Sequence, residues 1–390
     1  MAFAVEKNDD GFEMEDFISD TKIMVFGVGG GGGNAVAHMV DSDVKDVEYV
    51  VANTDVCALR NKDGSKMKRI QLGRKTTKGR GAGNNPAIGK QSAEESREEI
   101  EAVMDGVSMI FVAAGMGGGT GTGAAPIVAS VAKEKGILTV GVVTKPFAFE
   151  GATKMNQALK GIAEMKQYVD ALIVIPNEKV KQMSNSKLTL NDAFKAVDDV
   201  LCKAVLGVIT LLSVEGYVNV DFADVCMALK QSGIAHMAIG QGKGDNRVAN
   251  AVDEVLNSPL LETSILGARR GLINISVPKS FSLDEFDNVA TEITRKFNEE
   301  AQYKAGLVFD ESLEDDEISV IVFATDFIED SSIQFDVHEK PEEPVRYEEP
   351  EKPAEPVSGV ETYSRGGNFD NSSDVDRLLN LFNNSDNRDY

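Results

Sequence analysis

KIMVFGVGGGGGN, residues 22–34, is the stretch on which the fold turns. KIMVFGV (22–28) is a short apolar run that reads as a buried strand. The glycines that follow lead into a helical pattern, NAVAHMV at 34–40. Strand, loop and helix then recur. VEYVVAN (47–53), SMIFVAAG (108–115), ILTVGVV (137–143) and ALIVIP (171–176) are further buried strands, with helical patterns over 89–105, 122–135 and 151–168. Alternating βα units with near-continuous apolar strands predict a parallel sheet covered on both faces.

Further on, LTLNDAFKAVDDVLCKAVLGVITLLSVEG (188–216) predicts one long helix, with Thr189 or Asn191 as N-cap and Gly216 as its stop. Strands at 233–242, 271–277, 303–310 and 317–325, with helices over 246–257 and 282–299, form a smaller α+β domain. The fold class is therefore α/β: a Rossmann-like parallel-sheet nucleotide-binding domain (21–187), a central helix (188–216) and the α+β domain (217–328). An acidic, aperiodic leader (1–20) precedes them. From residue 329 onward, sixteen Asp or Glu stand against six Lys or Arg, and five of the eleven prolines fall here. This predicts a disordered linker (329–372), after which SDVDRLLNLFNN regains an apolar stripe in a partner-binding peptide (373–390).

At 390 residues the chain exceeds one average core. Its net charge of -23 argues against nucleic acid as a partner, because phosphate binding needs a basic face, and against adsorption to an anionic membrane. Cys57, Cys202 and Cys226 are widely spaced and outside any C-x-x-C pattern, so they read as reduced thiols. No stretch has the roughly 18 uninterrupted apolar residues of a membrane span, which predicts a cytoplasmic protein without direct membrane insertion.

GVGGGGGN (27–34) contains a G-x-G-x-x-G match at Gly27, Gly29 and Gly32. Alone it fits a dinucleotide, any other phosphate ligand, or a tight turn that binds nothing. AAGMGGGTGTGAAP (113–126) also leaves a strand and enters a helix. Its amides, with the Thr120 and Thr122 hydroxyls, can ring a phosphate chain. Two such loops on one sheet point to a polyphosphate. GRGAGNNPAIGK (79–90) fails the Walker A spacing, and Gln91 stands where Ser or Thr would bind magnesium. A nicotinamide-dependent dehydrogenase would leave the second loop without a role, and His38, His236 and His338 offer no evident catalytic histidine.

GGGTGTG at 117–123 resembles the signature of the tubulin/FtsZ superfamily, and GYVNVDFADV (216–225) is similar to the loop by which FtsZ-family subunits insert acidic residues into a neighbour's nucleotide site. NTD (53–55), GAGNNPAIG (81–89), KPFAFEG (145–151), IPNEKV (175–180) and AFKAVDDVL (193–201) match the family in order, so the resemblance covers about residues 21–328. It implies a GTPase that assembles head to tail into the cell-division ring at midcell. GTP or GDP would be its nucleotide. Mg2+ would sit on the phosphates, aided by Asp221 and Asp224 rather than fixed by the protein alone.

Carried over residue by residue, the resemblance puts Gly29, Gly30, Gly31, Gly32, Gly33 and Asn34 on the nucleotide. Gly117, Gly118, Gly119, Thr120, Gly121, Thr122 and Gly123 surround its phosphates, and Ala82, Gly83 and Asn84 lie by the γ-phosphate. Glu150 would hold the ribose, while Asn177, Phe194 and Asp198 would grip guanine. The last assignment has chemical sense of its own: an aspartate can accept from guanine N1 and N2, a donor pair adenine lacks. Phe194 lies one helical turn before it, on the same face. Asp221 and Asp224 are the implied catalytic residues, with Asn219 placing their loop. Lys154 stands where the family usually carries arginine and offers a point charge without the bidentate fork. The C-terminal peptide departs from the family's usual ending but keeps an amphipathic character suited to an adaptor or membrane-tether protein. The alternative is a regulatory paralogue that binds GTP without hydrolysing it, against which intact Asp221 and Asp224 argue.

Overall fold

A computed structural model describes residues 21–40, 47–183, 189–213, 217–261 and 265–327, all of which belong to one compact unit. The expected leader, the Gly216 helix stop, the linker 329–372 and the peptide 373–390 lie outside the described residues.

Seven parallel strands form the first part of the sheet: β1 (Ile23–Val28), β2 (Val47–Asn53), β3 (Lys68–Gln71), β4 (Met109–Gly115), β5 (Leu138–Lys145), β6 (Ala171–Pro176) and β7 (Gly233–Lys243). Their order is β3-β2-β1-β4-β5-β6-β7. Every residue of β1 is buried, and the period of two divides them. Ile23 and Val25 enter one core and Met24, Phe26 and Val28 the other. The first core is shared with α1 (Gly29–Met39) and α8 (Leu190–Ser213). The second is filled from α5 (Thr120–Glu134) and α6 (Ala152–Met165).

The sheet does not stop at the second subdomain. Beyond β7 it continues through β10 (Glu317–Phe327), β8 (Ala268–Val277) and β9 (Gln302–Phe309), giving ten strands. β10 runs antiparallel to both β7 and β8. A third core packs α10 (Arg247–Leu256) and α11 (Leu283–Thr294) on this end.

Thr189 is the N-cap of α8: its Oγ1 accepts from Asp192 N at 3.2 Å and donates to Asp192 Oδ2 at 2.6 Å, while Asn191 lies inside the first turn. The single helix expected over 89–105 is instead α3 (Pro86–Glu95) and α4 (Arg97–Val103). Ser96 breaks it, at φ -102 and ψ 15, with its hydroxyl accepting from Gly73 N at 3.1 Å. β3 was not legible in advance because only Ile70 of its four residues is buried. α2 (Val56–Arg60) and α7 (Asn177–Val180) are short connectors, and α9 (Phe222–Leu229) precedes β7.

Candidate nucleotide site

In the strand order β3-β2-β1-β4-β5-β6, the order in which strands are added reverses between β1 and β4, and ligands of such sheets bind at the carboxyl ends beside that point. Both glycine loops lie there. α1 begins directly after β1, and α5 begins at Thr120, just after β4; neither has a side-chain hydrogen bond at its N-cap. Their first amides are therefore left for an outside acceptor, and both helix dipoles favour an anion.

The glycines divide into two kinds. A Cβ at Gly32 would fall 2.1 Å from Ala113 O, and one at Gly121 2.4 Å from Gly115 O, so these two let α1 and the start of α5 lie against the end of β4. Around Gly30 and Gly118 a Cβ would meet nothing within 4 Å. No crowding inside the protein explains those two, and their bare backbone suits close approach by a ligand. Ala82, Gly83 and Asn84 come to the same edge: a Cβ at Gly119 would meet Ala82 Cβ at 2.8 Å and Asn85 N at 2.9 Å. Of the two threonine hydroxyls, Thr120 Oγ1 pairs with Thr54 Oγ1 at 2.7 Å. Thr122 Oγ1 turns inward and accepts from Gly117 N at 2.8 Å, which makes it a brace of the loop.

The residues expected on the base side also come together. Phe147, 1% exposed, stacks on Phe149 at 5.1 Å between centroids and meets Phe194 edge-on at 5.3 Å. Phe194 is 42% exposed, a cost for an aromatic ring unless something covers it. Glu150 accepts from Phe147 N at 3.0 Å and from Lys154 Nζ at 3.1 Å, so both side chains stand at the mouth of the loop after β5. Asn177 is 5% exposed, and its Oδ1 has no hydrogen-bond partner among the described residues. A buried orphan acceptor at the end of β6 is what a purine donor would satisfy.

Lys62 was missed by reading the sequence. With Gly29, Gly30, Gly33, Asn34, Asn53 and Leu59 it lines a cleft of about 250 Å³. Its Nζ donates to Asn34 Oδ1 at 2.8 Å. Burial lowers its ammonium below the ordinary lysine range, while the field of Asp198 partly opposes that shift. Asp198 is pushed up to about 6, chiefly by its own burial. No local pattern around Lys62 announces this, since it follows α2 in a polar turn.

Asp221, Asp224 and Asn219 lie elsewhere. About 28 Å of helix axis separates Phe194 from Ser213 at the other end of α8, from the rise per residue. The segment beyond leads into α9 and then β7, whose Gly233 pairs with Ala171 at the amino edge of the sheet. Asp221 caps α9, accepting from Asp224 N at 2.8 Å, and Asp221 N donates back to Asp224 Oδ2 at 3.2 Å. Lys304 Nζ lies 2.9 Å from that same oxygen. Partial burial opposes ionisation of Asp224, but Lys304 and the Asp221 amide outweigh it and hold the carboxyl below its usual range. Among the described residues no group of three His, Cys, Asp or Glu side chains converges as a metal site.

This arrangement defines the class: a nucleotide-binding α/β protein whose sheet is extended by a second subdomain. Comparison with known proteins makes it specific. Residues 22–185 match the Tubulin/FtsZ family GTPase domain and 233–328 the FtsZ family C-terminal domain. The cell division protein FtsZ of Wigglesworthia glossinidia brevipalpis is 45% identical over 315 residues, 80% of this chain and 81% of its own. An empty FtsZ dimer from M. jannaschii superposes with a TM-score of 0.75 at 40% identity, covering 78% of this chain and 88% of that one. CetZ1 from Haloferax volcanii, a GDP-bound monomer, shares the fold, with a TM-score of 0.67 at 19% identity over 78% and 93% of the two chains. The chain belongs to the FtsZ family, and its first subdomain is a GTPase domain.

Proposed function

We propose that this protein is a GTP-dependent cytoskeletal protein of cell division that forms head-to-tail protofilaments and hydrolyses GTP at the contact between subunits. The observation that carries the reading is the separation of its two functional halves, with the glycine loops at the carboxyl edge and Asp221 and Asp224 beyond the far end of α8. Neither half is a complete hydrolytic site.

Phosphoryl transfer depends mainly on positioning and on neutralising charge. One subunit would supply the amides opening α1 and α5, the loop at Ala82–Asn84, and the base and ribose contacts of Asn177, Phe194, Asp198 and Glu150. Lys154 adds a positive charge at the same mouth. The next subunit would bring Asp221 and Asp224, steadied by Asn219, to orient the attacking water and accept its proton. Mg2+ would be held by the nucleotide's phosphate oxygens with these two aspartates on the protein side, and would offset phosphate charge.

Such a contact joins two different faces and does not close, so it propagates into a filament. Loss of the γ-phosphate would remove part of the joint and favour disassembly. The protein would act in the cytoplasm at the midcell ring, with residues 373–390 taking adaptor or membrane-tether proteins. The test is phosphate release from GTP against protein concentration, with pelleting in parallel and Asp224→Ala beside the wild type. Specific activity should rise from near zero above a threshold, and the variant should pellet without hydrolysing. Activity linear in concentration from the start would overturn the interface mechanism.

A further inference from the structure

The acidic half of the shared site is not built by residues 217–224 alone. Val218 bridges to β9, its carbonyl accepting from Leu307 N at 3.2 Å. A Cβ at Gly306 would fall 2.7 Å from Val220 Cγ2 and 2.4 Å from Leu211 Cδ2, so the bare backbone there lets the segment lie on the strand. Residues two apart on a strand face the same side, which puts Lys304 next to that seat. Its Nζ reaches Asp224 Oδ2 at 2.9 Å, on the oxygen that also accepts from Asp221 N at 3.2 Å. Both of these contacts fall on Oδ2, and the Asp221 side chain also lies within reach of the same carboxylate.

We propose that Lys304 is a positioning residue for GTP hydrolysis: it clamps Asp224 Oδ2 and leaves Oδ1 as the oxygen presented to the attacking water in the neighbouring subunit's site. The inference rests on the shared-interface reading above. A carboxylate held by a single amide turns easily, because its terminal torsion has broad wells. The ion pair removes that freedom. It also fixes a positive charge one carboxylate away from the phosphoryl oxygens, where preorganised charge favours transfer. Lys304 can be replaced without opening the core, since its side chain is 37% exposed.

The test uses the full chain as wild type, Lys304→Met, Lys304→Arg and Asp224→Ala, with phosphate release normalised to pelleted polymer. Lys304→Met should assemble at the wild-type threshold with unchanged KM for GTP, while turnover per polymerised subunit falls roughly tenfold or more, the scale on which partners that orient a reacting group act. Lys304→Arg should recover most of the loss. Wild-type turnover per polymerised subunit in Lys304→Met overturns the clamp. So does a loss fully accounted for by missing polymer that arginine fails to rescue. If Asp224→Ala itself hydrolyses normally, the shared-site reading falls and the clamp with it.

Discussion

Lys62 Nζ donates to Asn34 Oδ1 at 2.8 Å, and its stem passes 3.9 Å from where a Cβ at Gly33 would lie. The contact closes one side of the cleft over the first glycine loop and turns a cation toward Asp198. Lys62→Ala should weaken GDP binding about five- to tenfold, roughly 1 to 1.4 kcal/mol, with little change in Tm. Calorimetric titration measures it, and unchanged affinity would remove Lys62 from the site.

The Asp198 carboxyl stands at about 6 because it is buried; His38 and Lys62 oppose the rise, and Asp199 adds to it. Here the fold favours the protonated form, so the stability this group contributes is complete below the ordinary aspartate value of 3.8 and is lost as pH rises through about 6. The proposed guanine contact runs the other way, since the N1 and N2 donors need the carboxylate. GDP affinity should be full above about pH 7 and decline as pH drops through 6, by up to roughly tenfold per unit. Asp198→Asn should bind weakly and without this pH dependence.

Two neighbouring glycines should respond oppositely to the same substitution. Gly30→Ala adds a methyl into open space within α1 and should leave the melt unchanged or raise stability by up to roughly 1 kcal/mol. It should nonetheless weaken nucleotide binding if, as proposed, that space is the nucleotide's. Gly32→Ala drives its methyl against Ala113 O and should destabilise by about 1 to 3 kcal/mol or more. Equal effects on melting would show that the division is wrong.

Phe194 and Phe147 touch but should separate in the same way. Phe194→Ala removes a half-exposed ring and should reduce GDP affinity by roughly 1 kcal/mol, with a small change in Tm. Phe147→Ala empties a buried site and should lower stability by about 3 to 5 kcal/mol, seen in denaturant unfolding with and without nucleotide.

What sequence alone determined here is local. β1 is apolar at every position, so its burial on both faces was readable, and Thr189 with Asp192 forms a cap within one turn. Phe194 and Asp198 share a helix face by their spacing. β3 was hidden because an edge strand with one buried residue carries no pattern. The break at Ser96 was hidden because its cause, a hydrogen bond to Gly73, comes from another segment. Only tertiary structure decided that β7 pairs with β6 and joins both subdomains in one sheet, since an apolar strand does not name its neighbour. It alone also set Lys62 on Asn34 and Lys304 on Asp224. A partly exposed lysine looks like any solvated charge until the chain's long-range packing brings a particular oxygen within reach.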